Sequence, residues 1–115
     1  MDTKPLTALV SGRRFDKYQP GLTARFKRFR LGYELTYCEP TDNPAMRLDF
    51  ESPVQLGRVT VWESGACELE VLDILSGRAV LQEHHQLSSE EVFHKILPKL
   101  VLFMRDAVGW PGSPA

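Results

Sequence analysis

Between Met46 and Ser88, apolar and polar residues alternate in four short runs, a pattern that leaves little room for anything but an antiparallel meander. Met46-Arg-Leu-Asp-Phe-Glu51 and Arg58-Val-Thr-Val-Trp-Glu63 place successive side chains on opposite faces, the period of a half-buried strand. Cys67-Glu-Leu-Glu-Val-Leu-Asp-Ile74 and Ala79-Val-Leu-Gln-Glu-His-His-Gln-Leu87 continue the pattern. Turn signals separate the runs: Pro53 and Gly57 as brackets, Ser64-Gly65-Ala66, and Ser76-Gly77.

Alternation also sorts the side chains by face. Leu48, Phe50, Val59, Val61, Leu69, Val71 and Leu81 form the natural inward set. Asp49, Thr60, Trp62, Glu68, Glu70, Gln82 and His84 form the outward set, with Leu72 as an apolar intruder. This sorting favours a three-residue loop at Ser64–Ala66, because a two-residue Ser64-Gly65 loop would put Trp62 opposite Cys67 on the core side. Trp62 then has two open readings. It is an anchor on a carboxylate-rich face, as interfaces use, or it packs under the N-terminal helix as part of the core.

Two helices and a further strand complete the pattern. Leu22, Phe26, Phe29 and Tyr33 fall on one helical face, with Arg25, Lys27, Arg28 and Arg30 over the rest and Gly32 as the expected stop. Tyr33–Cys38 alternates and predicts a fifth strand. Ser88-Ser-Glu-Glu91 matches a capping box and opens a helix whose apolar line is Val92, Ile96, Leu100 and Phe103, widened by Phe93, Leu97 and Met104. Pro98 is expected to kink it. Residues 1–21, with Pro5, Gly12, Pro20 and Gly21 and no sustained period, read as an extended or poorly ordered basic leader; residues 109–115 read as a tail. The expected architecture is therefore α+β: a four- to five-stranded antiparallel meander within residues 22–108, with an N-terminal and a C-terminal helix packed on it.

A chain of 115 residues with 43% hydrophobic and 25% charged side chains has enough material for one core without staples. No apolar run has the length of a membrane span, the N-terminus lacks the apolar stretch of a signal peptide, and two cysteines make no disulfide framework or zinc set. A reduced, cytoplasmic protein with no membrane partner is expected. The net charge of −1 hides an asymmetry: residues 1–30 carry eight Lys and Arg against two Asp, whereas the rest is acidic. Opposite fields of this kind imply either self-docking of the N-terminus or a charged partner.

Little in the chain points to catalysis. His84 and His85 lie on opposite faces of a strand and do not converge on one metal ion, and His94 alone does not complete a set. Glu68 and Glu70 share a face, which a solvated strand explains without a cleft. Cys38 and Cys67 have no adjacent activating residue, and no phosphate-binding glycine loop or nucleophile elbow is present. The expectation is no catalytic residue, no metal and no cofactor. The basic segment 13–30, interleaved with Phe15, Tyr18, Phe26 and Phe29, has the composition of a single-stranded nucleic-acid binder. The helical spacing of its aromatics and the acidity of the remaining chain argue for burial instead.

Leu48-Asp-Phe-Glu51, Gly57-Arg-Val-Thr-Val-Trp-Glu-Ser-Gly65, Glu68-Leu-Glu-Val-Leu-Asp73 and Glu83-His-His-Gln-Leu-Ser-Ser-Glu90 together resemble the small bacterial immunity proteins of the TriTu type. The resemblance covers roughly residues 46–104 and is most specific in the Gly-Arg…Trp-Glu-Ser-Gly hairpin. It implies a non-enzymatic antitoxin encoded beside a polymorphic toxin that is delivered by contact-dependent routes such as type VI secretion. It further implies that the cognate toxin domain is an ADP-ribosyltransferase acting on elongation factor Tu, blocked at its NAD cleft or substrate approach. With that resemblance, Trp62, Glu63, Glu68 and Glu70, with Gln82 and His84 beside them, become the candidate toxin-binding residues, facing a cationic cleft. An effector-loading chaperone or adaptor would share the same interface logic.

Overall fold

A computed structural model describes residues 4–28, 30–38 and 42–108. Phe29 of the expected helical face and the expected tail 109–115 lie outside these, as does the side chain of Arg25. Five antiparallel strands follow one another in sequence order as a meander: β1 (Gly32–Tyr37), β2 (Ala45–Glu51), β3 (Gln55–Trp62), β4 (Ala66–Asp73) and β5 (Ala79–Gln86). The helices are α1 (Thr7–Val10), α2 (Gln19–Arg28) and α3 (Glu90–Val108), with a 3-10 turn at Arg14–Lys17. The α+β class and the fifth strand are as the alternation predicts.

One face of the sheet carries the core. Met46, Leu48, Phe50, Val59, Val61, Cys67, Leu69 and Val71 are buried there, against Phe26 of α2 and Phe93, Leu97, Leu100 and Met104 of α3. The Phe26 ring stands edge-on to Phe50, centroids 5.1 Å apart, a favoured arrangement of aromatic quadrupoles. A Cβ on Gly57 would lie 2.5 Å from Met104 Sδ, so the bare backbone at this position lets α3 seat against β3. Gly57 therefore works inside β3, which begins at Gln55, three residues before the expected run from Arg58. The β2–β3 turn is instead closed by Ser52, whose Oγ accepts the N–H groups of Val54 and Gln55 at 3.2 and 2.9 Å.

The β3–β4 loop has three residues, shifted by one from the expected position: Glu63, Ser64 and Gly65. Val61 consequently pairs with Cys67 and Val59 with Leu69. Gly65 takes φ +100° and donates its N–H to the Trp62 carbonyl at 2.9 Å, a conformation that L side chains rarely adopt. Because both loops contain three residues, the two registers share one parity, and every inward and outward assignment survives the shift.

Three further expectations need correction. Residues 6–18 are not an extended leader: Leu6, Leu9, Val10 and Phe15 are all buried in the common core. Their burial is possible because two single helical turns, too short to show a period, fold them onto the open end of the core. The α2 helix starts at Gln19, with Pro20 in its first turn, where no intrahelical amide partner is lost. It ends through Arg30, at φ +63°, with the Leu31 N–H donating to the Phe26 carbonyl at 2.8 Å; Gly32 is already the first residue of β1. In α3 the cap is Ser89, whose Oγ accepts the Val92 N–H at 3.4 Å, so the reciprocal glutamate of a capping box is missing. Its buried line runs Phe93, Leu97, Leu100, Val101 and Met104, with Val92, Ile96 and Phe103 at the margin. The helix continues through Pro98, whose ring lies on the exposed side.

Candidate functional site

All described helices pack on the core face of the sheet, which leaves the opposite face uncovered. Alternation and register set its composition: Glu34 of β1, Arg47, Asp49 and Glu51 of β2, Leu56, Arg58, Thr60 and Trp62 of β3, Glu68, Glu70 and Leu72 of β4, Gln82 and His84 of β5. Of the candidate residues, Trp62, Glu68, Glu70, Gln82 and His84 are thus gathered on one surface. Trp62 is half-buried and faces away from both α2 and α3. With Arg47, Arg58, Thr60, Glu68 and Glu70 it lines a shallow concavity of about 400 Å³.

Several polar groups of this face pair with one another. Asp49 accepts from Arg58 Nε at 2.7 Å across the β2–β3 ladder and from Arg47 Nε at 2.9 Å along its own strand. Both guanidiniums are thereby committed to one carboxylate. Gln82 Nε2 donates to Glu70 at 3.3 Å, and His84 Nδ1 lies 3.4 Å from Glu68. Glu34, Glu51, Glu68 and Glu70 outweigh the one positive charge left when two arginines share Asp49, so the field over the face is negative. Arg47 and Arg58 are residues of this face outside the set expected from the sequence. They have the parity of Asp49, and Arg58 lies in register with it, which is the signal that would have placed them.

Glu63 does not belong to this surface. It is 5% exposed and turned towards the N-terminal segment. Its Oε1 accepts the Ser11 N–H at 3.2 Å and the Ser11 hydroxyl, and its carbonyl accepts the Leu6 N–H at 3.0 Å. The expected binding residue is a structural latch. Strand alternation stops at Trp62, so the next side chain follows the turn rather than the sheet.

Other chemistry finds little support in the geometry. His84 and His85 diverge as expected, His84 towards Glu68 and His85 Nε2 towards Glu83 at 2.8 Å. Among the described residues no group of three or more His, Cys, Asp or Glu is arranged to hold a metal ion, and no helix is long and apolar enough to cross a membrane. Burial, with the nearby charge of Glu68 adding, pushes the Cys67 thiol up to about 12, which keeps it protonated and unreactive. Phe15 and Phe26 of the basic segment are buried and present no ring for base stacking. Arg13 lies 4.6 Å over the Tyr37 ring and Arg14 Nε 3.4 Å from Glu90, so part of the segment's charge serves its own docking.

The sheet thus has one face packed by the described helices and the other open and acidic, on an α+β scaffold. A family comparison narrows the class. Residues 11–103 match the model of the family described as Immunity protein TriTu, and the chain belongs to that family. No curated protein matches the chain. Membership assigns an immunity function and, with it, a toxin protein as the partner.

Proposed function

We propose that the chain neutralises its toxin by stoichiometric binding through the open face of the sheet. The observation that carries this reading is the coincidence, on the one face that no described helix covers, of a half-buried indole with glutamates whose neighbouring arginines are already committed to Asp49. An inhibitor gains from such a face in two ways. Side chains already paired with one another lower the ordering cost of association, and a net negative field speeds encounter with a cationic partner.

The partner in this reading is an ADP-ribosyltransferase domain acting on elongation factor Tu, met in the cytoplasm, and the chain itself performs no chemistry. The acidic face enters the cationic cleft that holds the NAD pyrophosphate and excludes the dinucleotide. Trp62 supplies the apolar anchor, with Glu68, Glu70, Gln82 and His84 around it. The resemblance of the β3–β4 hairpin to that family supports the choice of toxin, and the sign of the field supports the cleft.

The test is co-expression. The C-terminal domain encoded immediately upstream is expressed with and without this chain, and growth and complex formation are followed. Rescue accompanied by a stable complex is expected. Trp62→Ala combined with Glu68→Lys and Glu70→Lys should abolish both while leaving the thermal transition in place. Unchanged binding by that folded triple variant refutes the assignment of the face.

A further inference from the structure

The open face has a second feature, at the end away from Trp62. Seven large apolar side chains are exposed among the described residues, and five of them, Val54, Leu56, Ile74, Leu75 and Val80, gather at this one end of the sheet. The Ile74 N–H donates to the Val54 carbonyl at 3.0 Å, which ties the β2–β3 and β4–β5 turns together, and Leu56 stands in register with Leu72. The five residues therefore come from adjoining turns and strands at one end of the sheet, with Leu75 standing out beyond the others. Exposed apolar surface gathered in this way marks an interaction site.

Leu75 is 96% exposed at the tip of the β4–β5 turn and contributes nothing to the core. The turn beneath it is nevertheless tightly ordered. Asp73 Oδ2 accepts the Ser76 N–H at 2.8 Å, the Asp73 carbonyl accepts the Gly77 N–H at 2.8 Å, and the Arg78 carbonyl accepts the Asp73 N–H at 2.8 Å. A leucine held out on a rigid turn is pre-organised for insertion, because little conformational freedom remains to be lost. Beside the patch lies a concavity of about 380 Å³ with Leu56 and Leu72 at its base and Glu34, Glu51 and Glu70 around it. Arg58 also borders it but is paired with Asp49. An apolar base with an acidic rim suits the aliphatic stem and charged head of a lysine or arginine.

We infer that this end of the sheet is a second anchor by which the chain grips its toxin: Leu75 enters an apolar pocket on the toxin while a neighbouring basic side chain of the toxin fills the Glu34–Glu51–Glu70 concavity. The inference rests on the toxin-binding reading above and adds a second contact to it, whose concavity adjoins that of Trp62 through Arg58 and Glu70. The partner is thereby specified as a protein surface with an apolar pocket bordered by lysine or arginine.

The experiment measures binding kinetics between the upstream-encoded toxin domain and the full chain carrying Leu75→Ser, with Leu102→Ser as control. Leu102 is an exposed leucine on α3, which packs on the opposite, core face of the sheet. Leu75→Ser should weaken binding roughly tenfold or more, chiefly through faster dissociation, with no change in thermal unfolding. Leu102→Ser should bind as wild type. Glu34→Lys with Glu51→Lys should slow association and flatten its salt dependence. Wild-type affinity in Leu75→Ser overturns the anchor while leaving the toxin-binding reading intact. Unaltered association in the double lysine variant overturns the basic partner surface. Absence of any complex with the wild-type chain removes both readings. Sedimentation of the chain alone covers the other occupant, since a dimer lost on Leu75→Ser assigns the patch to a second copy and overturns the inference.

Discussion

Replacing Phe15 by alanine separates a docked N-terminal segment from a dispensable one. The ring is fully buried, with its centroid 6.0 Å from Phe93 of α3 and 6.2 Å from Tyr18. Deleting about 150 Å² of buried aromatic surface at ~25 cal/mol/Å² costs about 4 kcal/mol, within the roughly 3–5 kcal/mol range of buried Phe→Ala changes, cavity included. Against a total stability of about 5–15 kcal/mol, this is a large fraction. At about 4 °C per kcal/mol for a domain of this size, the melting temperature should fall by roughly 15 °C. Lys17→Ala, exposed in the same segment, should stay within about 0.5 kcal/mol of wild type. The assay is urea and thermal denaturation followed by circular dichroism, with the m-value checked for constancy. A fall of less than about 3 °C for Phe15→Ala would mean that residues 6–18 do not share the cooperative core, and the reasoning would be wrong.

The other expected outcomes are more local. Gly65→Ala should destabilise more than Gly77→Ala in chemical denaturation: both positions have positive φ, but a Cβ on Gly65 would run into the Leu87 carbonyl, whereas one on Gly77 meets nothing within 4 Å. Strain alone accounts for about 1–3 kcal/mol at either site, and the clash adds to it only at Gly65. Iodoacetamide at pH 8 should label exposed Cys38 and spare Cys67, whose thiol is raised to about 12, with mass spectrometry as the readout. The Glu83 carboxyl is held below its ordinary value by Lys99 first and His85 second, with Lys99 Nζ at 2.9 and 3.0 Å. A depressed carboxyl contributes stability above its unfolded value and loses it as pH falls through the folded one. Lys99→Ala should therefore cost about 0.2–1 kcal/mol near pH 7, and the difference from wild type should close as the pH falls below the ordinary value of 4.5.

The sequence by itself determined the sheet and its two faces. Alternation is a property of neighbouring residues, and it needs no knowledge of distant ones. The β3–β4 loop shows this: it lies one residue from the expected place, yet Val59, Val61, Leu69 and Val71 remain inside and Thr60, Glu68 and Glu70 outside, because only a change of loop length by one flips the parity. The gathering of Trp62, Glu68, Glu70, Gln82 and His84 on one surface was legible for the same reason.

Tertiary structure decided what depends on contacts across the chain. Leu6, Leu9, Val10 and Phe15 show no period, since they sit on two isolated helical turns, and their burial exists only once α3 and the sheet have formed the slot they fill. Glu63 ends an alternating run and looks like its neighbours, but its role is set by Ser11, 52 residues away. The exposed patch at Leu75 was hidden in the same way. Val54, Leu56, Ile74 and Val80 come from separate turns and strands, and only the pairing of those turns brings them together.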